Sequence, residues 1–283
     1  MTDKEEKRLN SLQSSTTLHN GVKMPWFGLG VYKVPEGEVA LESVKMAIKA
    51  GYRSIDTAAL YENEESVGKA IKESGVSREE LFITTKVWNS DQRNDSVEEA
   101  FETSLRKLGL DYVDLYLIHW PVKEKYKDTW KVLEKLYKEK RVRAIGVSNF
   151  NIHHLEDLMS VAEIKPMVNQ VELHPLHAQP ELRSYCKQQQ IQIEAWAPLG
   201  QGRLLDHPVL QEIASAHHKS IAQVILRWDI QNEIVTIPKS IRESRIKENA
   251  NIFDFTLSES DIEKINALNE NLRFGADPDN FNF

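Results

Sequence analysis

The sequence predicts an α/β fold: a single (β/α)8 barrel of the TIM type, with an N-terminal β-hairpin and extra C-terminal helices. Three observations lead there. Short apolar segments alternate with stretches of helical spacing about eight times, the pattern of a parallel sheet with crossover helices. The alternation continues without a repeat or linker through 283 residues, a length that single α/β barrels commonly reach. Each apolar segment also finishes in a polar or aromatic residue, and the C-terminal ends of the strands are where such a barrel gathers its chemistry.

Taken in order, residues 1–15 are polar and are expected to form a disordered tail, with the barrel domain spanning residues 16–283. Asn20-Gly21 between two short alternating arms signals a hairpin over residues 16–24, one that could plug the N-terminal end of a barrel. Residues 27–31 read as the first buried strand. Gly28 and Gly30 do not make a dinucleotide fingerprint, because Lys33 stands where the third glycine belongs. Helical spacing over 38–50 stops at Gly51, a natural C-terminal cap. A strand at 53–55 leads to a helix at 62–74, stopped by Gly75. Strand–helix pairs follow at 81–86 and 96–107, 113–118 and 127–139, 144–147 and 153–159, and 167–171 and 180–189. The strand at 192–196 leads to helices at 208–217 and 221–231, and the last strand, 235–237, to a helix at 243–251. Ser258 and Asp261 have the spacing of a capping box for a final helix at 261–269, and residues 274–279 read as loop.

Bulk properties exclude several classes. The composition, 41% hydrophobic and 28% charged, is that of a globular domain. A net charge of -7 and a pI near 5.8 argue against nucleic acid, which needs a basic face. No signal-peptide core and no membrane-length apolar run is present, so a cytoplasmic protein is expected, with no membrane partner and a monomer as the default. Cys186 is the only cysteine; its helical setting reads as a packed, inert thiol.

The strand ends carry the chemical argument. Asp56 closes the second strand with Tyr61 just beyond, Lys86 closes the third, and His119 the fourth. Ser148-Asn149, Gln170, Trp196 and Lys239-Ser240 follow on the remaining four. A phenol is a poor acid near neutrality, with a reference pKa of about 10, and a nearby ammonium lowers it. A carboxylate beside the lysine keeps it charged and oriented, and a histidine across the pocket can fix a carbonyl oxygen. That set suits proton delivery to a developing alkoxide, which is carbonyl reduction with a hydride donor that no side chain supplies. Each residue alone has a plainer reading: Asp56 as a helix cap, Lys86 as a strand-end snorkel, His119 as a core histidine.

The stretches GYRSIDTAALYENEESVG (51–68), LGLDYVDLYLIHWP (108–121) and IPKSIRESRIKEN (237–249) resemble the signature blocks of the aldo-keto reductase superfamily. The hairpin, GVSNF and VNQVELHP match as well, and the likeness is greatest to bacterial reductases of the glyoxal/methylglyoxal and 2,5-diketo-D-gluconate type. The resemblance implies NADPH bound without a dinucleotide-fold domain, and Tyr61 as general acid tuned by Lys86 and Asp56, with His119 orienting the carbonyl. It implies Ser148, Asn149 and Gln170 at the nicotinamide carboxamide, and Trp196 stacked on the ring where many relatives have tyrosine. Pro198, Leu199, Gln201 and Arg203 would wrap the pyrophosphate. Lys239, Ser240 and Arg245 would meet the 2′-phosphate, Glu248 and Asn249 the adenine, and Gly30, Val31 and Asp56 complete the cofactor set. Tyr32, Leu60, Trp88, His119 and Trp120 would line the substrate pocket, which the short segment after His119 and the short C-terminal tail leave open and shallow, suited to small aldehydes and dicarbonyls.

Two rival functions remain. One is a metal-dependent hydrolase built on His119, Glu172 and His174, although no metal ligand set is expected here. The other is a non-catalytic cofactor-sensing subunit. His153-His154 and His217-His218 read as surface helical residues without carboxylate partners.

Overall fold

Eight parallel strands pair strictly in sequence order: Leu29–Gly30 (β3), Ser54–Asp56 (β4), Phe82–Val87 (β5), Val113–Ile118 (β6), Val142–Ser148 (β7), Val168–Glu172 (β8), Gln192–Trp196 (β9) and Val235–Thr236 (β10). The computed structural model describes residues 9–283, so part of the tail expected over 1–15 lies outside the described residues. The first and last strands meet: Thr236 N donates to Trp26 O at 3.0 Å, Gly28 N to Thr236 O at 3.0 Å and Gly30 N to Pro238 O at 3.3 Å. These bonds join the two edges of the sheet, so the barrel leaves neither edge strand unpaired there. Gly30 is required at this seam, since a Cβ would lie 2.8 Å from the Ile237 carbonyl oxygen. β3 and β10 are shorter than the sequence suggests, and an isolated bridge pairs Phe27 with Thr236 at the seam.

β5 and β6 are buried along their whole length, as expected for a sheet covered by helices outside and by side chains inside. The hairpin of Ser15–Thr17 (β1) and Lys23–Pro25 (β2) is antiparallel, with Thr16 opposite Met24. Asn20 Nδ2 donates to Arg143 O at 3.0 Å and Thr16 Oγ1 to Gln192 Oε1 at 3.1 Å, both at the starts of strands. The hairpin therefore closes the N-terminal end of the barrel, with Met24 and Trp26 packed inward. From Leu9 onward the chain is packed rather than frayed: Leu9 is buried and its carbonyl accepts from Arg227 Nη1 at 3.2 Å. That corrects the tail expectation for residues 9–15. Among the described residues, no helix is long and apolar enough to cross a membrane.

Helices follow the strands as the spacing predicts. The helix Glu259–Asn266 begins two residues early, and its capping box is formed, with Asp261 N donating to Ser258 Oγ at 3.1 Å. A short helix at Asn89–Arg93 was not foreseen. Its polar sequence has no apolar period, and it is held from outside, by Gln92 Nε2 donating to Trp120 O at 3.0 Å.

Candidate active site

β4 delivers Asp56 to the C-terminal mouth of the barrel. The chain then turns through Ala59–Tyr61, a single 3-10 turn, and leaves through Glu62 in the left-handed region at φ 54°. β5 delivers Lys86 alongside. The Lys86 ammonium donates all three hydrogens: to Asp56 Oδ1 at 2.6 Å, to Thr57 O at 3.0 Å and to Tyr61 Oη at 3.2 Å. Its nitrogen also lies 4.8 Å from the centre of the Tyr61 ring. Lys86 is wholly buried, and a buried lysine with a complete set of acceptors has one conformation available.

Burial opposes charge on the lysine, but Asp56 and Tyr61 outweigh it and hold the ammonium pKa above its ordinary value. The phenol behaves differently from expectation. Burial pushes the Tyr61 pKa up, to about 12, against the downward pull of Lys86. The lysine thus limits the rise without reversing it, and Tyr61 stays protonated through the whole neutral range. His119 faces Tyr61 edge to face at 5.7 Å between ring centres and Trp88 at 5.1 Å. Burial, with the Lys86 charge second, drives its pKa well below the ordinary value, so the ring is neutral. Its Nδ1 is buried without a partner among the described residues. A lone pair costs less in that position than an unpaired N–H, which assigns the proton to Nε2.

β7, β8 and β9 supply the polar rim. Ser148 Oγ donates to Gln170 O at 2.8 Å, and Asn149 Nδ2 to His119 O at 3.0 Å. Asn149 takes φ 62°, which turns its side chain across the mouth, and its Oδ1 accepts from Trp196 Nε1 at 2.8 Å. The indole of Trp196 is therefore pinned at one edge and half-exposed on its face. Gln170 Nε2 donates to Asp56 Oδ2 at 2.7 Å and to Glu194 Oε2 at 3.0 Å. Sequence reading missed Glu194 because it lies inside β9, not at its end. The available signal was a charged residue within the buried run Gln192–Trp196.

The remaining candidates lie on two loops. Gly30 and Val31 border β4, with Val31 N donating to Asp56 O at 3.1 Å. Pro198 and Leu199 lead into the turn Gly200–Gly202, where Gln201 takes φ 57°, and Gln201 and Arg203 are exposed. Arg203 lies over the Phe274 ring at 4.5 Å. Lys239, Arg245 and Glu248 are exposed while Ser240 and Asn249 are buried beneath them. Lys239 and Arg245 make no ion pair among the described residues.

At the rim, Tyr32 and Leu60 are exposed and Tyr32 packs on Tyr61 at 5.1 Å. Trp88 and Trp120 are covered by the C-terminal tail. Phe283 stacks on Trp88 at 5.9 Å and meets Trp120 at 5.1 Å, while Phe281 meets Trp120 at 5.2 Å. The tail is anchored where Phe274 N and Gly275 N donate to the two oxygens of Glu172, at 2.6 and 2.9 Å. The tail thus adds two aromatic rings beside Trp88 and Trp120. Sequence reading missed Phe281 and Phe283 because nothing local to Asp279-Asn280-Phe281 says where the tail returns.

A model of the aldo/keto reductase family matches residues 27–270. The chain belongs to that family. It is 67% identical over 273 residues to a glyoxal reductase of Bacillus subtilis, covering 96% of this chain and 99% of that protein. It is 47% identical over 268 residues to the methylglyoxal reductase DkgA of Salmonella typhimurium, covering 93% and 96% respectively. A solved structure of a substituted Gox0644 in complex with NADPH superposes with a TM-score of 0.91 at 43% identity, covering 96% of this chain and 99% of that one.

In this aldo/keto reductase several of the other histidines have protein partners, and the cysteine is buried. Glu172 accepts from His174 Nε2 at 3.0 Å as well as from the tail, so its carboxylate is fully engaged away from His119. His153 and His154 are not partnerless: Asp279 Oδ1 lies 2.6 Å from His153 Nε2 and 3.5 Å from His154 Nε2. His154 is buried, and its Nδ1 accepts from Asn151 N at 3.0 Å as a helix cap, which leaves the proton on Nε2 and no lone pair there for a metal. His217 pairs with Asp261 at 2.8 Å. Burial pushes the Cys186 thiol up to about 12, so it is no nucleophile.

Proposed function

We propose that this chain reduces small aldehydes and dicarbonyls, such as methylglyoxal, to alcohols with NADPH, and that Tyr61 is the general acid. One observation carries the reading: a buried ammonium bonded at once to a carboxylate and to a phenol at the mouth of the barrel, with a neutral imidazole facing the phenol. The relatives named for glyoxal and methylglyoxal reduction, and the related structure in complex with NADPH, support the same substrate and cofactor class.

The residues present fit that cofactor. Trp196 offers a half-exposed aromatic face whose edge is already pinned by Asn149. Gln170 has both amide hydrogens engaged, and its Oε1 accepts nothing among the described residues, so it can take a carboxamide N–H. Lys239 and Arg245, which make no ion pair among the described residues, form with Ser240 a donor set suited to a phosphate on the ribose rather than a bare hydroxyl. Gln201 and Arg203 would border the pyrophosphate, Glu248 and Asn249 the adenine. NADPH supplies the hydride.

The chain does the rest. His119 Nε2–H and the Tyr61 hydroxyl both aim at the carbonyl oxygen, polarising it and fixing its angle. Tyr61 gives up its proton to the forming alkoxide, and Lys86, with its charge held by Asp56, stabilises the phenolate left behind. A phenol at about 12 is a weak acid at rest, but an alkoxide is a stronger base than the phenolate, so the proton moves as the alkoxide forms. The aromatic wall of Trp88, Trp120, Phe281 and Phe283 excludes water from that step.

The test is NADPH oxidation with methylglyoxal by the parent and by Tyr61→Phe. The variant should lose about 10²–10⁴-fold in kcat while still binding NADPH. Turnover that survives in the variant would mean that the proton comes from another group.

A further inference from the structure

The mouth of the barrel holds a second buried carboxyl that the proposed chemistry does not use. Glu194 lies in register between Gln170 on β8 and Val235 on β10, and is 1% exposed. Its bond within the described residues comes from Gln170 Nε2 at 3.0 Å, the same nitrogen that donates to Asp56 at 2.7 Å. Of the other ionisable groups facing this layer, Glu172 on β8 is engaged by the tail and His174. Asp56 on β4 and Lys86 on β5 remain, with Tyr61 beyond them. One cation therefore faces two carboxyls in a dry layer, and its three hydrogens already go to Asp56, Thr57 and Tyr61.

We infer that Glu194 is a positioning residue that works as the neutral acid, holding the Gln170 amide against Asp56 and leaving the whole Lys86 charge for Asp56 and Tyr61. The inference rests on the carbonyl-reductase reading given above. Two ionised carboxylates bridged by one amide repel across it, whereas a protonated one accepts from Gln170 without competing for the lysine. Burial, then the Asp56 charge, push the Glu194 carboxyl up to about 8. Above that pH a second negative charge opposes the phenolate that Tyr61 must become. Neither Tyr61 nor Lys86 titrates near there, since both lie higher, and His119 lies far lower. A loss of reductase rate in that window that Glu194→Gln abolishes therefore belongs to Glu194.

Two measurements test this. The kcat/KM for methylglyoxal reduction should fall above about pH 8 in the parent, approaching tenfold per unit, and Glu194→Gln should extend the plateau, because glutamine mimics the neutral acid. At about pH 9.5 the variant should then exceed the parent by roughly tenfold or more. Parent and variant profiles of the same shape would overturn the inference. The second readout needs no turnover: with carbon-13-labelled glutamate, infrared difference spectra between about pH 7 and pH 10 should show one protonated carboxyl ionising, absent in Glu194→Gln. If no such band titrates, the inference fails; if it does while no carbonyl is turned over, only the reductase reading fails.

Discussion

The two ends of the barrel both bury carboxylates but compensate them differently. At the N-terminal end Asp114 is fully buried and faces two guanidinium groups, Arg78 at 2.7 Å and Arg143 at 3.0 Å, with Ile83 N adding a bond at 2.9 Å. Cation exceeds anion there, every oxygen is engaged, and nothing is left to react. At the C-terminal end a single ammonium faces Asp56 and Glu194, and one of its bonds goes to a phenol instead of a carboxylate. A saturated pair locks structure. An under-compensated one leaves the ammonium a bond for a phenol, where the proposed proton transfer takes place.

The comparison can be broken from either end. The largest effect should come from Lys86→Met, which removes the buried ammonium bonded to Asp56 and Tyr61. It should lower kcat for methylglyoxal reduction by about 10²–10⁴-fold in steady-state assays, and a smaller loss would mean that Tyr61 does not depend on the lysine. Next is Asp114→Ala, which strands two arginines at the other end. Urea unfolding should register a loss of about 1–3 kcal/mol, because the buried Ile83 N–H loses its acceptor. The KM of the folded variant should stay within about twofold, since the site is distant. A fall in kcat would erase the distinction between the two ends. The smallest effect should come from Phe283→Ala. Losing its contacts with Trp88 and Trp120 should raise the KM for aromatic aldehydes about two- to tenfold, the worth of about 0.5–1.5 kcal/mol of aromatic pairing. An unchanged KM would remove the tail from the pocket wall.

Much of the upper layer could be read from the chain. Asp56 ends β4, Lys86 is the penultimate residue of β5 and His119 directly follows β6, and a polar residue at the end of a buried run is visible without coordinates. Glu194 and the tail aromatics were not visible, for different reasons. Glu194 is buried by strands far from it in sequence, so its neighbours and its protonation are set by β8 and by the opposite wall of the barrel. Phe281 and Phe283 reach Trp88 and Trp120 because Glu172, more than a hundred residues earlier, fixes the backbone at Phe274 and Gly275. Gly275 permits this close approach, since a Cβ would lie 2.4 Å from the Trp196 ring.

The sequence by itself determined the order and type of the elements, the hairpin at Asn20-Gly21 and the residues that end each strand, because periodicity and turn chemistry act between near neighbours. It did not determine the resting acidity of Tyr61. The proximity of Lys86 argues for a lowered phenol, whereas burial in the folded barrel raises it, to about 12. Desolvation depends on everything that surrounds a group, and only the closed barrel supplies those surroundings.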